Sequence, residues 1–270
     1  MVRMIVGWGS SSMEGIGPAM DCALRGSGRW FHNLGRGGES SHQTAARIGA
    51  LPPRLSFPEN TVPAAGSVPV ESVLNNRAAS LKPFAVAVDG LSGSLRPEDG
   101  AVVFTRHSPG SAMRLSGPTF AESLSGPELA SSDSLLWIGK NDLSDGENAA
   151  GVIERTDTTV QWLAARGARV LVLGHFVNTG ASPEQQQQTE KVNDAYRERY
   201  RHRFLDLSTP LVSATLWNQI GLDPTDEDWA EQAAGRKPPT ISTDPAHLDM
   251  VGYSFVASLV RDRLADLGWL

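Results

Sequence analysis

The sequence predicts an α/β protein, a three-layer α/β/α sandwich around a parallel sheet, with a small antiparallel β insert. Short apolar runs that end at glycine or serine alternate along the chain with segments of helical periodicity, which is typical of a parallel sheet covered by helices. One stretch, from about residue 51 to 125, breaks this alternation. We therefore expect a core domain formed by residues 1–50 and 126–270, and an inserted β-rich subdomain at 51–125.

Four apolar runs have the length and composition of buried parallel strands. They are Met4–Trp8, Leu135–Ile138, Arg169–Leu173 and Phe204–Leu207. Three helices are predicted at 148–166, 183–201 and 249–267, the second of them with Ser182 as its N-cap. The acidic segment at 218–242 is expected to be a surface loop or a short helix.

The stretch at 51–125 is rich in proline, glycine and serine, and its apolar residues alternate with polar ones. Apolar runs occur at 84–88, 101–104 and 113–115. Turn signals separate them, at Asp89-Gly90, at Pro97–Gly100 and at Ser108–Gly110. Because short alternating runs joined by such turns form hairpins, we expect a small antiparallel sheet here.

Composition excludes several classes of function. The net charge is -6 and no run of basic residues could follow a phosphate backbone, so a nucleic-acid partner is not expected. No segment approaches 18 consecutive apolar residues, so no membrane span is expected.

Cys22 is the only cysteine, so the chain cannot form an internal disulfide. We expect Cys22 to be a small buried residue. No charged segment followed by an apolar one opens the chain, so we expect a cytoplasmic protein, a part of an assembly or a mature secreted form.

Polar motifs lie where the predicted strands end, which is the edge of a parallel sheet where active sites form. Ser10–Ser12 follow the first strand, and Gly139–Asp142 follow another. The loop Asn33–Gly38 lies after a short segment with Trp30 and Phe31. Nearer the end of the sequence, Asp244 precedes His247 by three residues, so its carboxylate can orient the imidazole as a base. A hydroxyl, a base, an orienting acid and amide donors are the parts that an ester hydrolase needs.

These motifs resemble the blocks of the SGNH (GDSL-type) hydrolase superfamily, in the same order along the chain. Gly9–Gly15 is similar to the first block, Asn33–Gly38 to the second, Gly139–Asp142 to the third and Asp244–His247 to the fifth. The resemblance implies a flavodoxin-like sandwich and a carboxylic ester hydrolase. It also implies that no metal or cofactor takes part.

The resemblance assigns a role to each motif. Ser11 would be the nucleophile, His247 its base and Asp244 the residue that orients the base. The oxyanion hole would be formed by the backbone N–H groups of Ser11 and Gly38 and by the side chain of Asn141. The implied substrate is a small acyl ester, with acetyl on a carbohydrate as the leading case by family analogy.

The chain departs from the family pattern in two places. Ser10 stands where the family has aspartate and Met13 where it has threonine, so Ser10 and Ser12 stay open as alternative nucleophiles. The predicted β insert fills an interval between the second and third blocks that is much shorter in minimal members of the family. We expect it to pack near the mouth of the cleft and to influence substrate choice.

Other functions remain open at this point. Each motif taken singly is common in loops and helix caps, so a binding module that uses the insert is one alternative. A metal-dependent phosphoesterase is another, with the candidate ligands Asn141, Asp142, His175, Asp244 and His247. Of the remaining histidines, only His175 lies at a predicted strand end. Asp142 is expected to orient its loop, and Trp8 and Trp137 are expected in the core.

Overall fold

The computed structural model describes residues 4–270, so residues 1–3 of the predicted core domain lie outside the described part. The strands in chain order are β1 (Met4–Gly9), β2 (Trp30–Asn33), β3 (Arg54–Leu55), β4 (Thr61–Val62), β5 (Ser67–Val70), β6 (Phe84–Val88), β7 (Leu91–Glu98), β8 (Ala101–Arg106), β9 (Met113–Arg114), β10 (Thr119–Ser123), β11 (Asp133–Trp137), β12 (Val170–Leu173) and β13 (Phe204–Leu205).

The α-helices in chain order are α1 (Ser11–Gly15), α2 (Gly17–Ala23), α3 (Ser41–Ile48), α4 (Gly126–Leu129), α5 (Lys140–Ser144), α6 (Ala149–Ala164), α7 (Pro183–Tyr200), α8 (Ser208–Leu211), α9 (Leu216–Ile220), α10 (Asp226–Ala233) and α11 (Met250–Asp266). Short 3-10 helices lie at Pro58–Asn60, Val73–Ser80, Arg201–Arg203 and Pro239–Ile241.

Five strands form a parallel sheet in the order β2-β1-β11-β12-β13. Numbered along the chain, these strands run 2-1-3-4-5, the order of a flavodoxin-like sheet. Successive residues of a strand face opposite sides of the sheet. Ile5 of β1 accordingly packs in a core that includes α2 and α11. Val6 packs on the other side, against α3, α6 and α7. The predicted α/β sandwich with a parallel sheet is confirmed.

Strands β3 to β10 form the antiparallel part of the molecule. Six of them pair in the order β3-β10-β6-β7-β8-β5, and β4 pairs with β9. The predicted turns at Asp89-Gly90 and Asp99-Gly100 connect β6 to β7 and β7 to β8, with positive φ at all four residues. Two such residues in succession give the type I′ geometry that suits tight hairpins. The predicted antiparallel insert is present, whereas its division from the core at residues 50 and 126 stays a prediction.

Most predicted elements of the core have the expected positions. The three long predicted helices correspond to α6, α7 and α11, and Trp8 and Trp137 are buried. The segment at 218–242 contains α10 and a 3-10 helix. The prediction for Cys22 is wrong, because its side chain is exposed. It lies in α2, where Ala19 and Met20 face the core and Cys22 points to solvent.

Among residues 4–270, none of the helices combines the length and the apolar character that crossing a bilayer requires.

Candidate active site

The candidate site lies at the carboxyl ends of β1 and β11, which are neighbours in the interior of the parallel sheet. Their register pairs Gly9 with Trp137, so the segments that follow the two strands leave the sheet side by side. The chain proceeds from β1 toward β2 on one side and from β11 toward β13 on the other. Ligands of open α/β sheets bind where the strand order reverses in this way.

Ser11 is the first residue of α1, directly after β1. It is partly exposed, whereas Ser10 and Ser12 on either side are buried at 3% and 2% exposure. The structure therefore presents only the middle serine of the three to the cleft. The N–H of Ser11 lies in the first turn of α1, where backbone N–H groups have no partner within the helix.

His247 connects Ser11 to Asp244. Its Nε2 lies 2.8 Å from Ser11 Oγ, and its Nδ1 lies 2.8 Å from one Asp244 oxygen and 3.0 Å from the other. Since a carboxylate only accepts, Nδ1 carries the proton, and Nε2 is left to accept from the serine hydroxyl. The three residues thus form one hydrogen-bonded chain, although Ser11 and His247 are 236 positions apart.

The carboxylate of Asp244 is fixed by the backbone as well as by the imidazole. Its Oδ1 accepts hydrogen bonds from the N–H groups of Ala246 at 2.7 Å and His247 at 2.9 Å. Partial desolvation opposes ionisation of Asp244, but these bonds and the His247 side chain prevail, and the pKa of the carboxyl is lowered. Asp244 is therefore ionised at neutral pH and faces the imidazole as an acceptor.

Every backbone carbonyl of the turn Asp244–His247 accepts a hydrogen bond. The donors are Lys237 Nζ to Asp244 and His247, Thr179 N–H to Pro245, Lys140 Nζ to Ala246 and Thr243 N–H to His247. Burial lowers the pKa of Lys140 well below its ordinary value, and the charge of Lys237 lowers it further. Burial also lowers the pKa of Lys237, to about 8.

The loop Asn33–Gly38 lies against the start of α1. Gly37 N–H donates to the Glu14 carboxylate at 2.7 Å, and a Cβ on Gly35 would come within 2.3 Å of the Glu14 backbone nitrogen. Gly38 has φ of +78°, and a Cβ there would lie 2.3 Å from Ser80 Oγ. No acceptor among residues 4–270 takes the Gly38 N–H. The loop thus needs its glycines, and it brings a backbone donor beside the serine helix.

Asn141 lies in the first turn of α5, after β11. Its Nδ2 donates at 2.8 Å to the carbonyl oxygen of Glu39, the residue that follows Gly38. Glu39 is itself buried, and its carboxylate is held by Arg47 and Thr44. The second and third motifs of the sequence are therefore bonded to each other, and they carry the two predicted oxyanion donors other than Ser11.

Arg77 connects the insert to this region. It lies in the 3-10 helix Val73–Ser80, donates to Gly38 O at 3.1 Å and pairs with both oxygens of Asp145 just after α5. The amide of Gln43 in α3 donates to the backbone oxygens of Leu74 and Arg77. The insert therefore packs on the loops of the candidate site, as expected.

Comparisons with known proteins support this assignment of the fold. The chain is similar to the solved structures of a GDSL-like lipase from Bacteroides thetaiotaomicron, with a TM-score of 0.51, 12% identity and coverage of 98% of this chain and 89% of that one. It is also similar to the structure of a putative acylhydrolase from Bacteroides fragilis, with a TM-score of 0.52, 12% identity and coverage of 98% of this chain and 88% of that one. For the structure of an acetyl xylan esterase, the TM-score is 0.51 and the identity 12%, and 98% of each chain is covered.

The chain has the fold of the SGNH (GDSL-type) hydrolases. No protein-family model matches it, and no curated protein sequence is significantly similar. The expectation drawn from four short motifs is thus confirmed at the level of the fold, by likeness of structure alone.

The side chain of Asp142, one of the candidate metal ligands, is already occupied by hydrogen bonds and an ion pair. Its carboxylate accepts from the backbone and hydroxyl of Ser41 and pairs with Arg155, which also pairs with Glu147. One ligand atom each of His42, Asp142 and Glu147 lies within 4.8 Å of the others. Because Arg155 pairs with both carboxylates and Ser41 donates to Asp142, this cluster is an ion-pair and hydrogen-bond network that fixes α5 to α3 and α6.

His175 likewise shares no hydrogen bond with Ser11, Asp244 or His247 in the part of the chain that the structure describes. It is 1% exposed, and its Nε2 is 3.1 Å from the carbonyl oxygen of Ile138. Burial and the nearby charge of Lys140 lower the pKa of His175 to about 3, so its imidazole is neutral. It is a buried neighbour of α5, and it does not reach the serine.

Four supporting residues escaped the sequence reasoning: Glu14, Arg77, Lys140 and Lys237. Glu14 and Lys140 lie within the first and third motifs but match no role there, and Arg77 and Lys237 lie outside the motifs. Nothing in the sequence distinguishes a buried lysine from a solvated one. The positions of Glu14 and Lys140 inside motifs could have drawn attention to these two residues.

Proposed function

We propose that this protein is a serine esterase that hydrolyses small acyl esters through an acyl-enzyme on Ser11. The observation that carries the proposal is the continuous chain of hydrogen bonds from Asp244 through His247 to Ser11 Oγ. A hydroxyl activated in this way at the carboxyl edge of a parallel sheet can attack a carbonyl carbon. The names of the fold neighbours, which include lipases and esterases, support the same reaction.

In the first half-reaction, His247 Nε2 takes the proton of Ser11 as Oγ bonds to the ester carbonyl carbon. The resulting oxyanion receives hydrogen bonds from the N–H groups of Ser11 and Gly38 and from the second amide proton of Asn141. Collapse of the intermediate expels the alcohol, which receives the proton from His247. Water then attacks the acyl-enzyme by the same steps, with His247 again as base, and releases the acid.

Asp244 holds the imidazole in the tautomer that the reaction needs and stabilises the imidazolium that forms. Its lowered pKa keeps it ionised while His247 gains and loses a proton. No step in this scheme calls for a metal ion, so we expect activity to persist in EDTA. A metal-dependent phosphoesterase would lose its activity under the same treatment.

We further propose a small acyl group, acetyl in the leading case, on a carbohydrate alcohol. One fold neighbour is named an acetyl xylan esterase. The insert lies beside the oxyanion loop through Arg77 and offers a surface next to the cleft for a larger alcohol half. Transfer of the acyl group to an acceptor other than water would use the same acyl-enzyme.

The test is hydrolysis of p-nitrophenyl acetate in EDTA by the wild type and by Ser11→Ala. We expect the variant to lose a factor of roughly 10⁴–10⁶ in turnover. Ser10→Ala and Ser12→Ala are the matched controls and should keep activity. A fluorophosphonate should label the wild type once, at Ser11.

Equal activity of the wild type and Ser11→Ala would contradict the proposal. Loss in only one of the two neighbouring serine variants would move the nucleophile to that residue. A wild type that neither hydrolyses acyl esters nor reacts with fluorophosphonate would favour the binding-module alternative.

A further inference from the structure

Two lysines, the half-buried Lys140 and the fully buried Lys237, approach the turn Asp244–His247 from different parts of the chain. Lys140 opens α5, directly before Asn141, and Lys237 lies between α10 and the 3-10 helix Pro239–Ile241. Neither residue belongs to the hydrogen-bonded triad, and both donate to backbone oxygens of the turn that carries Asp244 and His247.

Lys140 acts on the peptide unit between Ala246 and His247. Its Nζ donates to Ala246 O at 2.9 Å, while the N–H of the same peptide unit, on His247, donates to Asp244 Oδ1 at 2.9 Å. A hydrogen bond donated to the oxygen end of a peptide makes its N–H a stronger donor, since hydrogen bonds in a chain polarise one another. Lys140 therefore strengthens the hydrogen bond from the His247 N–H to the Asp244 carboxylate.

Lys237 is fully buried, at 0% exposure. Its Nζ lies 3.0 Å from Asp244 O, 3.3 Å from His247 O, 2.6 Å from Ser242 Oγ and 3.3 Å from Thr179 Oγ1. The first two contacts join the beginning and the end of the turn to a single nitrogen atom.

The surroundings of Lys237 require an ammonium ion. Both hydroxyls near Nζ already donate elsewhere, Ser242 to Pro238 O at 2.7 Å and Thr179 to the backbone oxygen of Lys237 at 2.9 Å. All four partners can therefore only accept. An ammonium offers three protons to them, whereas the lone pair of a neutral amine would face an oxygen.

Among residues 4–270, no carboxylate oxygen lies within 4.0 Å of either lysine nitrogen. The charges that face Lys237 are those of Asp244, Asp249 and Glu231, and those that face Lys140 are Lys237 and Asp244. Lys140 Nζ also lies 3.3 Å from the centre of the Phe176 ring. Since a buried ammonium without an ion-pair partner is unfavourable, the position of Lys237 beneath this turn indicates a purpose beyond packing.

We propose that Lys140 and Lys237 are positioning residues that pin the Asp244–His247 turn, and that full activity requires protonated Lys237. The proposal rests on the proposed esterase function. Neither lysine touches the substrate; both act by fixing the carbonyl groups of the turn, so that Asp244 holds the imidazole toward Ser11.

The pH dependence of turnover follows from the surroundings of Lys237. Burial lowers its pKa to about 8, against the opposing influence of Asp244, Asp249 and Glu231. Lys237 is thus charged at neutral pH and loses its proton as the pH rises through about 8. We expect kcat of the wild type to fall reversibly over this range, after subtraction of spontaneous ester hydrolysis.

The variants Lys237→Met and Lys140→Met keep the length of the side chain and remove the donor. We expect each to lower kcat for p-nitrophenyl acetate by roughly 10- to 10²-fold with little change in KM, because a small displacement of the base has effects of this size. Lys237→Met should also lack the fall of kcat near pH 8. Lys191→Met, at an exposed position of α7, is the matched control and should behave as the wild type.

Hydrogen exchange supplies a readout that does not depend on catalysis. The amides of Ala246 and His247 should exchange faster in the two variants than in the wild type, while those of α6 stay protected. If Lys237→Met fails to fold, the pH profile of the wild type decides alone, with circular dichroism to show that the fold persists across the range.

A wild-type kcat that stays level through pH 8 and above, or lysine variants with unchanged kcat, would overturn the inference and leave the esterase proposal intact. Failure of the esterase proposal is recognised separately, by Ser11→Ala retaining full activity.

Discussion

Asn141 has two amide protons, and the structure accounts for one of them. That proton goes to Glu39 O, which fixes the orientation of the amide and joins α5 to the loop that ends at Gly38. The other proton has no acceptor among residues 4–270. A donor that is fixed in advance and left unpaired suits a charge that develops only in the transition state.

Asn141→Ala should therefore lower kcat by roughly 10²–10³. KM should change little, since the second proton meets its acceptor only when the oxyanion forms. The measurement is the steady-state hydrolysis of p-nitrophenyl acetate. Asn218→Ala, at an exposed position of α9, is the matched control. A variant that raises KM at constant kcat would show that Asn141 binds the ground state instead.

At this scale the sequence pointed to Ser11, Asp244 and His247, which the structure joins by hydrogen bonds, but not to the residues that support them. Ser11, Asn141 and His247 stand in short patterns whose order is specific. Lys237 and Arg77 carry no such pattern, because their roles depend on burial and on partners far away in the chain. The prediction for Cys22 failed for a different reason. Its residue type suggested burial, but its side chain lies on the face of the short helix α2 that points to solvent.

The 3-10 helix Val73–Ser80 is the element through which the insert reaches the candidate site. Arg77 leaves it to bind Gly38 O and Asp145, and Gln43 of α3 holds its backbone. The loop of Gly38 is thus supported from the core by Glu14 and from the insert by Arg77. A displacement of this 3-10 helix would move Arg77 and, through it, the Gly38 loop that carries a predicted oxyanion donor.

Arg77→Met should reduce kcat roughly 10- to 10²-fold, because the Gly38 loop loses its support and its N–H is no longer held in place. Arg114→Met, an exposed arginine of the same insert, should leave kcat unchanged. The two variants are compared on the same ester. Unaltered kinetics in Arg77→Met would mean that the core alone fixes the loop.

The elements of the core could be predicted because β1, β11 and β12 each contain a short apolar run that ends at glycine or just before one. Several strands of the insert could not. β3 and β4 have two residues each, and Pro69 interrupts the pattern of β5. Such strands exist because neighbours pair with them, and their own sequences contain little that favours a strand.

The molecule as a whole is joined across the predicted domain boundary by buried contacts. Ala46 of α3 packs in the core of the insert, and Ser123 Oγ donates at 2.7 Å to Arg47 O. The N–H of Lys82 donates to the buried Glu39 carboxylate. These contacts oppose independent unfolding of either part.

We therefore expect a single cooperative unfolding transition, followed by calorimetry and by activity in parallel. Leu95→Ala, in the core of the insert at 0% exposure, should destabilise the entire protein by roughly 2–5 kcal/mol and shift both signals together. Leu91→Ala, at a partly exposed position of the same strand, should have a smaller effect. Two separated transitions, with activity following only one, would show that the insert folds on its own.

The hydrogen bond between Ser11 and His247 joins two residues that are 236 positions apart in the sequence. Helices such as α6 and α7 depend on neighbours in sequence and can form early during refolding, whereas contacts between distant segments form slowly. Recovery of ester hydrolysis should for this reason lag behind recovery of the far-ultraviolet signal after dilution from denaturant. The return of activity would then report when the distant segments that carry Ser11 and His247 come together during folding.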